Sequence, residues 1–216
     1  MNVVVVIPAY QAKGAIGRLV AAVKQMGLPV IVVDDASNDG TAKAAETEGA
    51  RVIRRPANGG KGAALRDGIP AALQMGCDWV LTLDADGQHL VSEIPLFLRE
   101  AERGGADLLI GNRMGPHRTR DAALPRQRGW YRLGRRPRGM PLDRWVTNLI
   151  MSRIISKVAG QKVPDTQCGF RMIHRRVMEK VRLTCDRFEV ETELVIRAAR
   201  AGFWIASVPV SSVYRR

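Results

Sequence analysis

The chain has 216 residues, 46% of them apolar, which is enough for one domain with a full hydrophobic core and excludes a disordered tail protein. Lys and Arg number 34 against 21 Asp and Glu, and the net charge of +13 favours an anionic partner without saying which. Three cysteines lack paired or metal-ligand spacing, no apolar run reaches the roughly 18 to 20 residues that cross a bilayer, and Met1-Asn2 enters Val3 without the basic region of a signal peptide. The expectation is a reducing, cytoplasmic setting, with any lipid contact peripheral on the inner face of a membrane or supplied by another subunit.

Short β-branched runs alternate with helical spacing through the first half, a pattern that favours parallel strands joined by crossovers. Strands are predicted at Val3 to Ile7, Val30 to Val33, Val52 to Arg54, Val80 to Leu83, Asp107 to Ile110 and Ile205 to Val210. Ile16, Leu19, Val20, Val23 and Met26 recur as one helix face, and Gly27 to Pro29 stops that helix before the second strand. Ser37 and Asn38 offer side-chain oxygens to cap a short Ala-rich helix after Thr41. Gly60 to Gln74 and Val91 to Arg103 supply further crossovers. At Arg113 the alternation breaks. Ten Arg and two Asp fall between Arg113 and Arg144, so this stretch holds most of the excess charge, and 113–141 reads as a long loop or insertion. Leu142, Trp145, Val146, Leu149, Ile150 and Ile154 then repeat as an amphipathic helix, most simply one that faces the core. The fold class is α/β, a mostly parallel open sheet flanked by helices, in a single domain over 1–216.

In such sheets ligands bind beyond the carboxyl ends of the strands. The tips are Pro8-Ala9-Tyr10, Asp34-Asp35-Ala36-Ser37, Asp84-Ala85-Asp86-Gly87-Gln88 and Gly111-Asn112-Arg113. An Asp-x-Asp is common by chance and usually marks a solvated turn. Here it follows Trp79-Val80-Leu81-Thr82-Leu83, and residues two apart in an extended segment share a side. Asp84 and Asp86 can then serve one hard cation, Mg²⁺ or Mn²⁺, with Gln88 adding a carbonyl and a diphosphate completing the shell. Asp34 and Asp35 cannot both point one way; one faces a ligand while the other caps with Ser37, or both cap. Tyr10 either stacks on a ring or packs. Competing motifs fail: the first strand is followed by Pro8-Ala9-Tyr10-Gln11 rather than a dinucleotide fingerprint, and Gly59-Gly60-Lys61-Gly62 lacks the spacing of an NTPase loop.

Taken together, Val3 to Tyr10, Val32 to Thr41, Asn58 to Leu65, Thr82 to His89, Asp165 to Arg171 and Phe188 to Glu193 through Val210 strongly resemble glycosyltransferase family 2, in particular its dolichyl-phosphate or polyprenyl-phosphate mannosyltransferase-like branch. The resemblance implies a GT-A type nucleotide-diphospho-sugar transferase fold. It also implies inverting, metal-dependent transfer of a sugar from a GDP- or UDP-linked donor to a lipid phosphate or other acceptor. Carried over by position, Pro8, Ala9, Tyr10, Val33 and Asp35 hold the nucleoside. Asp84, Ala85, Asp86 and Gln88 hold the metal and diphosphate, and Lys61, Arg113 and Arg171 are basic positions of the donor and acceptor site. The family usually follows the tyrosine with Asn-Glu, whereas Gln11-Ala12 stand here.

On this reading the metal on Asp84, Asp86 and Gln88 offsets charge on the departing nucleoside diphosphate. A lipid phosphate needs no protein base, whereas an alcohol needs one, for which Asp165 is the candidate, the other reading of Asp165 being a hydrogen bond with Thr166. Asp86, Asp165 and Arg171 are thus the expected catalytic set, and Glu189 and Glu191 are expected to ion-pair with the Arg-rich stretch. That stretch is open to three readings: an acceptor loop, a contact with anionic lipid headgroups or a membrane subunit, or a solvated surface. Two alternatives of function stay open. Trp130, Tyr131 and Trp145 among arginines fit nucleic-acid binding, which the acidic strand tips oppose, and Ala12 fits a catalytically inactive relative.

Overall fold

The computed structural model describes residues 1–115, 136–137 and 139–213. Most of the Arg-rich stretch at 113–141, with Trp130 and Tyr131, lies outside the described residues.

The strands are β1 (Val3–Ala9), β2 (Val30–Asp34), β3 (Arg51–Arg54), β4 (Trp79–Thr82), β5 (Leu108–Asn112), β6 (Arg171–His174) and β7 (Ile205–Pro209), and the helices are α1 (Lys13–Gln25), α2 (Thr41–Thr47), α3 (Lys61–Gln74), α4 (Ile94–Arg103), α5 (Leu142–Ala159), α6 (Arg175–Lys180) and α7 (Glu189–Arg200). Among the described residues they build one sheet in the order β3-β2-β1-β4-β6-β5-β7. All neighbours are parallel except β6, which runs antiparallel between β4 and β5. The α/β reading therefore holds, with the sheet mixed rather than purely parallel. The chain leaves β1 toward β2 and β3 on one side and returns to β4 on the other, so the β1/β4 boundary is the switch in strand order where a ligand crevice opens.

Central strands are apolar on both faces because helices cover both. Val3, Val5, Ile7 and Ala9 join Ile16, Leu19, Val20, Val23, Phe97 and Phe170 on one side. Val4 and Val6 join Ile31, Val33, Leu65, Ile69 and Val80 under α3 on the other. The predicted strands appear within one or two residues of their expected ends. The strand not foreseen is β6, whose Arg-Met-Ile-His sequence is too short to show a period.

Two helices differ from expectation for stated reasons. Ser37 and Asn38 do not cap α2: Ser37 Oγ accepts from Gln11 N at 2.9 Å and Asn38 Oδ1 from Gln11 Nε2 at 2.7 Å, while Asp39 Oδ1 accepts from Thr41 N at 2.9 Å. In α5 the buried residues are Asn148, Ser152 and Ile155, whereas Leu142, Val146, Ile150 and Ile154 of the predicted core stripe are exposed. The helix is present, and its apolar row faces outward because its polar residues are needed inside.

Candidate active site

The crevice is assembled from the loops that follow β1, β2 and β4. The first two are bonded to each other. Thr41 Oγ1 accepts from Ala12 N at 2.8 Å and Asp39 Oδ2 from Lys13 N at 3.0 Å, so the β2 loop supplies the partners that the first amides of α1 lack. Gln11 and Ala36 adopt left-handed backbone (φ 51° and 63°), a conformation that costs a non-glycine residue and persists where neighbours impose it. At the rim, Tyr10 is exposed and Pro8 half-buried. Ala9, Val33 and Ala85 are buried, and Val33 belongs to the core under α3, so any contact of these three with a ligand is through backbone.

Asp34 and Asp35 divide their work. Asp34 Oδ1 accepts from Ser37 N at 3.2 Å and closes its own turn. Asp35 points the other way, accepting from Gly59 N at 3.0 Å and Gly60 N at 2.7 Å and pairing with Arg55. It thus fixes the glycine-rich loop that opens α3. That loop is clamped from behind: Ala63 N donates to Asp186 O at 3.0 Å, and a Cβ at Gly62 would overlap the Cys185 carbonyl oxygen. Residues 184 and 185 are in turn held by Glu193, which accepts from Thr184 N, Cys185 N and Thr184 Oγ1 at 2.9, 2.9 and 2.6 Å.

The clamp delivers Lys61. Its Nζ pairs with Asp84 and lies 2.5 Å from Glu191 Oε1, with the Lys61 and Glu191 side chains only 8% and 7% exposed. Burial opposes the lysine's charge, but Asp84 and then Glu191 outweigh it and hold its pKa above the ordinary value. Asp84 is the mirror case: burial would raise its pKa, and Lys61 and His89 outweigh burial and hold it well below the carboxylate range. His89 Nε2 lies 3.5 Å from Asp84 Oδ2, and a Cβ at Gly169 would overlap the same carboxylate, so only glycine permits this approach. Glu191, expected to pair with the Arg-rich stretch, completes this cluster through Lys61; most of that stretch lies outside the described residues. Its signal was in the sequence. Glu191 stands three, four and seven residues before Leu194, Val195 and Ala198, on the buried stripe of α7, where a carboxylate requires a cation.

Asp84 and Asp86 do not present a matched pair. The extended segment ends at Asp84, and Asp86 lies in a turn before Gly87, exposed, with Oδ1 accepting from Gln88 N at 2.9 Å. Among the described residues no cluster of three or more His, Cys, Asp or Glu forms a metal cage. The donor chemistry nonetheless fits a hard divalent ion at Asp86, because Mg²⁺ is commonly held by one carboxylate plus water and substrate phosphate. Asp84, already neutralised by Lys61, shapes that site rather than offering it a free charge.

Two expected catalytic residues have other work. Asp165 is fully buried, accepting from Arg113 N, Nε and Nη2 at 3.0, 2.8 and 2.9 Å and from Asn148 Nδ2 at 2.8 Å. Burial would raise its pKa, and Arg113 followed by Asn148 lowers it below the usual carboxylate value. Such a group is a poor proton acceptor and a strong anchor; it ties the end of β5 to α5. Asn148 Oδ1 accepts from Ser152 Oγ at 2.9 Å, and Ser152 Oγ accepts from Thr166 N at 3.0 Å, which is why the polar side of α5 is inside. Arg171, only 2% exposed, donates to the carbonyls of Cys168, Glu191 and Thr166 at 2.8, 2.7 and 2.7 Å. It positions the 166–170 segment under Asp84 instead of meeting a phosphate.

Residues 4–182 match the family model described as glycosyl transferase family 2. The chain belongs to this family and is a glycosyltransferase. An uncharacterised protein of Methanocaldococcus jannaschii is 31% identical over 216 residues, covering 99% of this chain and 82% of that protein. An undecaprenyl-phosphate mannosyltransferase of Micrococcus luteus is 30% identical over 227 residues, covering 100% of this chain and 85% of its own. Among solved structures, glucosyl-3-phosphoglycerate synthase from Mycobacterium tuberculosis, crystallised with Mn²⁺, uridine diphosphate and glucosyl-3-phosphoglycerate, superposes with a TM-score of 0.73 at 20% identity, over 100% of this chain and 72% of that one. That likeness identifies the GT-A fold. The family assignment displaces the nucleic-acid-binding alternative.

Proposed function

We propose that the chain transfers a hexose, with inversion, from a nucleoside diphosphate sugar to a polyprenyl or other lipid phosphate at a membrane surface, as one catalytic domain with a loop or insertion at 113–141. The carrying observation is Asp86, an exposed carboxylate at the switch in strand order beside an Asp84 that Lys61 has already neutralised. Asp86, with Gln88, would hold Mg²⁺ or Mn²⁺, which when bound offsets charge on the departing nucleoside diphosphate. Tyr10 offers an exposed ring to the base, and the Asp35-anchored glycine loop holds Lys61 and Asp84 rigid behind the phosphates. Arg113, fixed by Asp165, stands at the tip of β5 on the acceptor side. A lipid phosphate is ionised at neutral pH and attacks the anomeric carbon without a protein base, which agrees with Asp165 being committed to Arg113. The relative named for undecaprenyl phosphate supports the acceptor class.

The test is release of nucleoside diphosphate from UDP- and GDP-hexoses with Mn²⁺ and a polyprenyl phosphate, in the wild type and in Asp86→Ala. Asp86 is exposed and among the described residues bonds only its own turn, so the variant should melt with the wild type and turn over at least about 100-fold more slowly. Equal turnover in the variant would overturn the assignment, and turnover in the wild type also excludes an inactive relative.

A further inference from the structure

We infer that Glu93 is a positioning residue for the turn that carries Asp86 and Gln88, acting through a strap of backbone at 210–213. Beyond β7 the chain makes one more bond to its neighbour strand, Val210 N to Asn112 O at 3.1 Å, and then leaves the sheet. Ser211 N donates to both carboxylate oxygens of Glu93, at 2.9 and 3.0 Å, and Val213 N donates to Gln88 O at 3.0 Å. Among the described residues β7 is the edge strand, three places from β4, so these bonds are not strand pairing. They tie the segment after β7 to the loop after β4 at two points.

The turn needs a hold of this kind. Asp86 is exposed, Gly87 is left-handed at φ 70°, and the bond within the turn is Gln88 N to Asp86 Oδ1. On one side Asp84 is fixed by Lys61, and on the other His89 is buried. Gln88 lies between them. With its N–H given to Asp86 and its carbonyl to Val213, its backbone is fixed on both sides, and so is the direction in which its side chain departs. The groups that hold the strap are backbone except for the half-buried Glu93 carboxylate, which is therefore where the sequence controls it. Partners behind a metal ligand commonly set its affinity, and their loss costs about 10–100-fold. The inference rests on reading Asp86 and Gln88 as the divalent-ion site, and the experiment keeps the two apart.

Three variants of the full chain are compared with the wild type. Glu93→Ala removes the acceptor, Glu93→Gln keeps one acceptor oxygen, and Val213→Pro removes the amide donor at an exposed position. Thermal melting establishes that each folds. Hydrogen exchange of the peptide spanning 84–90 is followed without ligand, and Mn²⁺ binding in the presence of UDP or GDP is read from the loss of the free-ion electron paramagnetic resonance signal. Expected are faster exchange and Mn²⁺ affinity at least about tenfold weaker in Glu93→Ala and Val213→Pro, with Glu93→Gln within about threefold of the wild type. A carboxylate that only tethers 210–213 would leave exchange at 84–90 and Mn²⁺ affinity unchanged in Glu93→Ala, which overturns the inference. Glu93→Gln no better than Glu93→Ala overturns it too. Should Glu93→Ala fail to fold, Val213→Pro decides by the same two measurements. A wild type that binds no Mn²⁺ with either nucleotide refutes the divalent-ion reading, and faster exchange in the variants would then leave the strap standing as the hold on this turn.

Discussion

Replacing Lys61 by Met removes the cation from between Asp84 and Glu191 while keeping most of its volume. The three side chains are 8, 27 and 7% exposed, so two carboxylates are left with little water to solvate them. Breaking a buried pair on one side costs about 3–5 kcal/mol. For a chain of this length that is a fall in Tm of about 6–20 °C. The loss should depend on pH in a specified direction. Asp84 has a folded pKa below its ordinary 3.8, so the wild type keeps this contribution above that value and loses it as pH falls through the depressed one. Lys61, raised above 10.5, keeps its part below that pH and loses it as pH rises through the raised value. In the variant, Asp84 keeps only His89 against its burial, which favours the neutral carboxyl, so acid stabilises the variant relative to neutral pH. The two stability curves should converge on acidification, and Lys61→Met combined with Asp84→Asn and Glu191→Gln should recover most of the loss at pH 7, since neutral groups need no counter-charge. Urea unfolding from pH 4 to 8 measures both. A cost below about 1 kcal/mol that stays constant with pH, or a triple variant no better than the single one, would refute the argument.

Two further substitutions separate anchoring from chemistry. Asp165→Asn should lower stability by about 3–5 kcal/mol, because it removes one side of the buried Arg113–Asp165 pair, and thermal melts should show a clear drop where Asp86→Ala shows none. Glu193 is held down to about 2 chiefly by the hydroxyl and amide of Thr184 and the amide of Cys185, against burial. The wild type should therefore lose stability as pH falls from about 4.5 toward about 2, and Glu193→Gln, costing about 1–3 kcal/mol at pH 7 after screening, should flatten that limb in acid titration.

What could be read from the sequence depended on whether the signal was local. The β-branched runs of β1, β2 and β4 end at Pro8, Asp34 and Asp84, and a charged residue at the end of a buried strand must meet a partner, so the crevice loops were legible without coordinates. The partners were not. Lys61 is 130 residues from Glu191, and Arg113 is 52 from Asp165, distances over which no periodicity constrains pairing. Hence Asp165 and Arg171 read as chemistry when both are anchors, and β6 was missed because four residues become a strand only by lying between β4 and β5. The α5 row shows the limit most clearly. Spacing establishes that Leu142 to Ile154 form a helix with an apolar side, but which side turns inward is decided by competition between that row and Asn148 with Ser152. Leaving Asp165 without Asn148 would cost about 1–3 kcal/mol or more for a charged acceptor. Asn148 and Ser152 bond within the buried network of Asp165 and Thr166, which the apolar row cannot replace, so the polar face goes in.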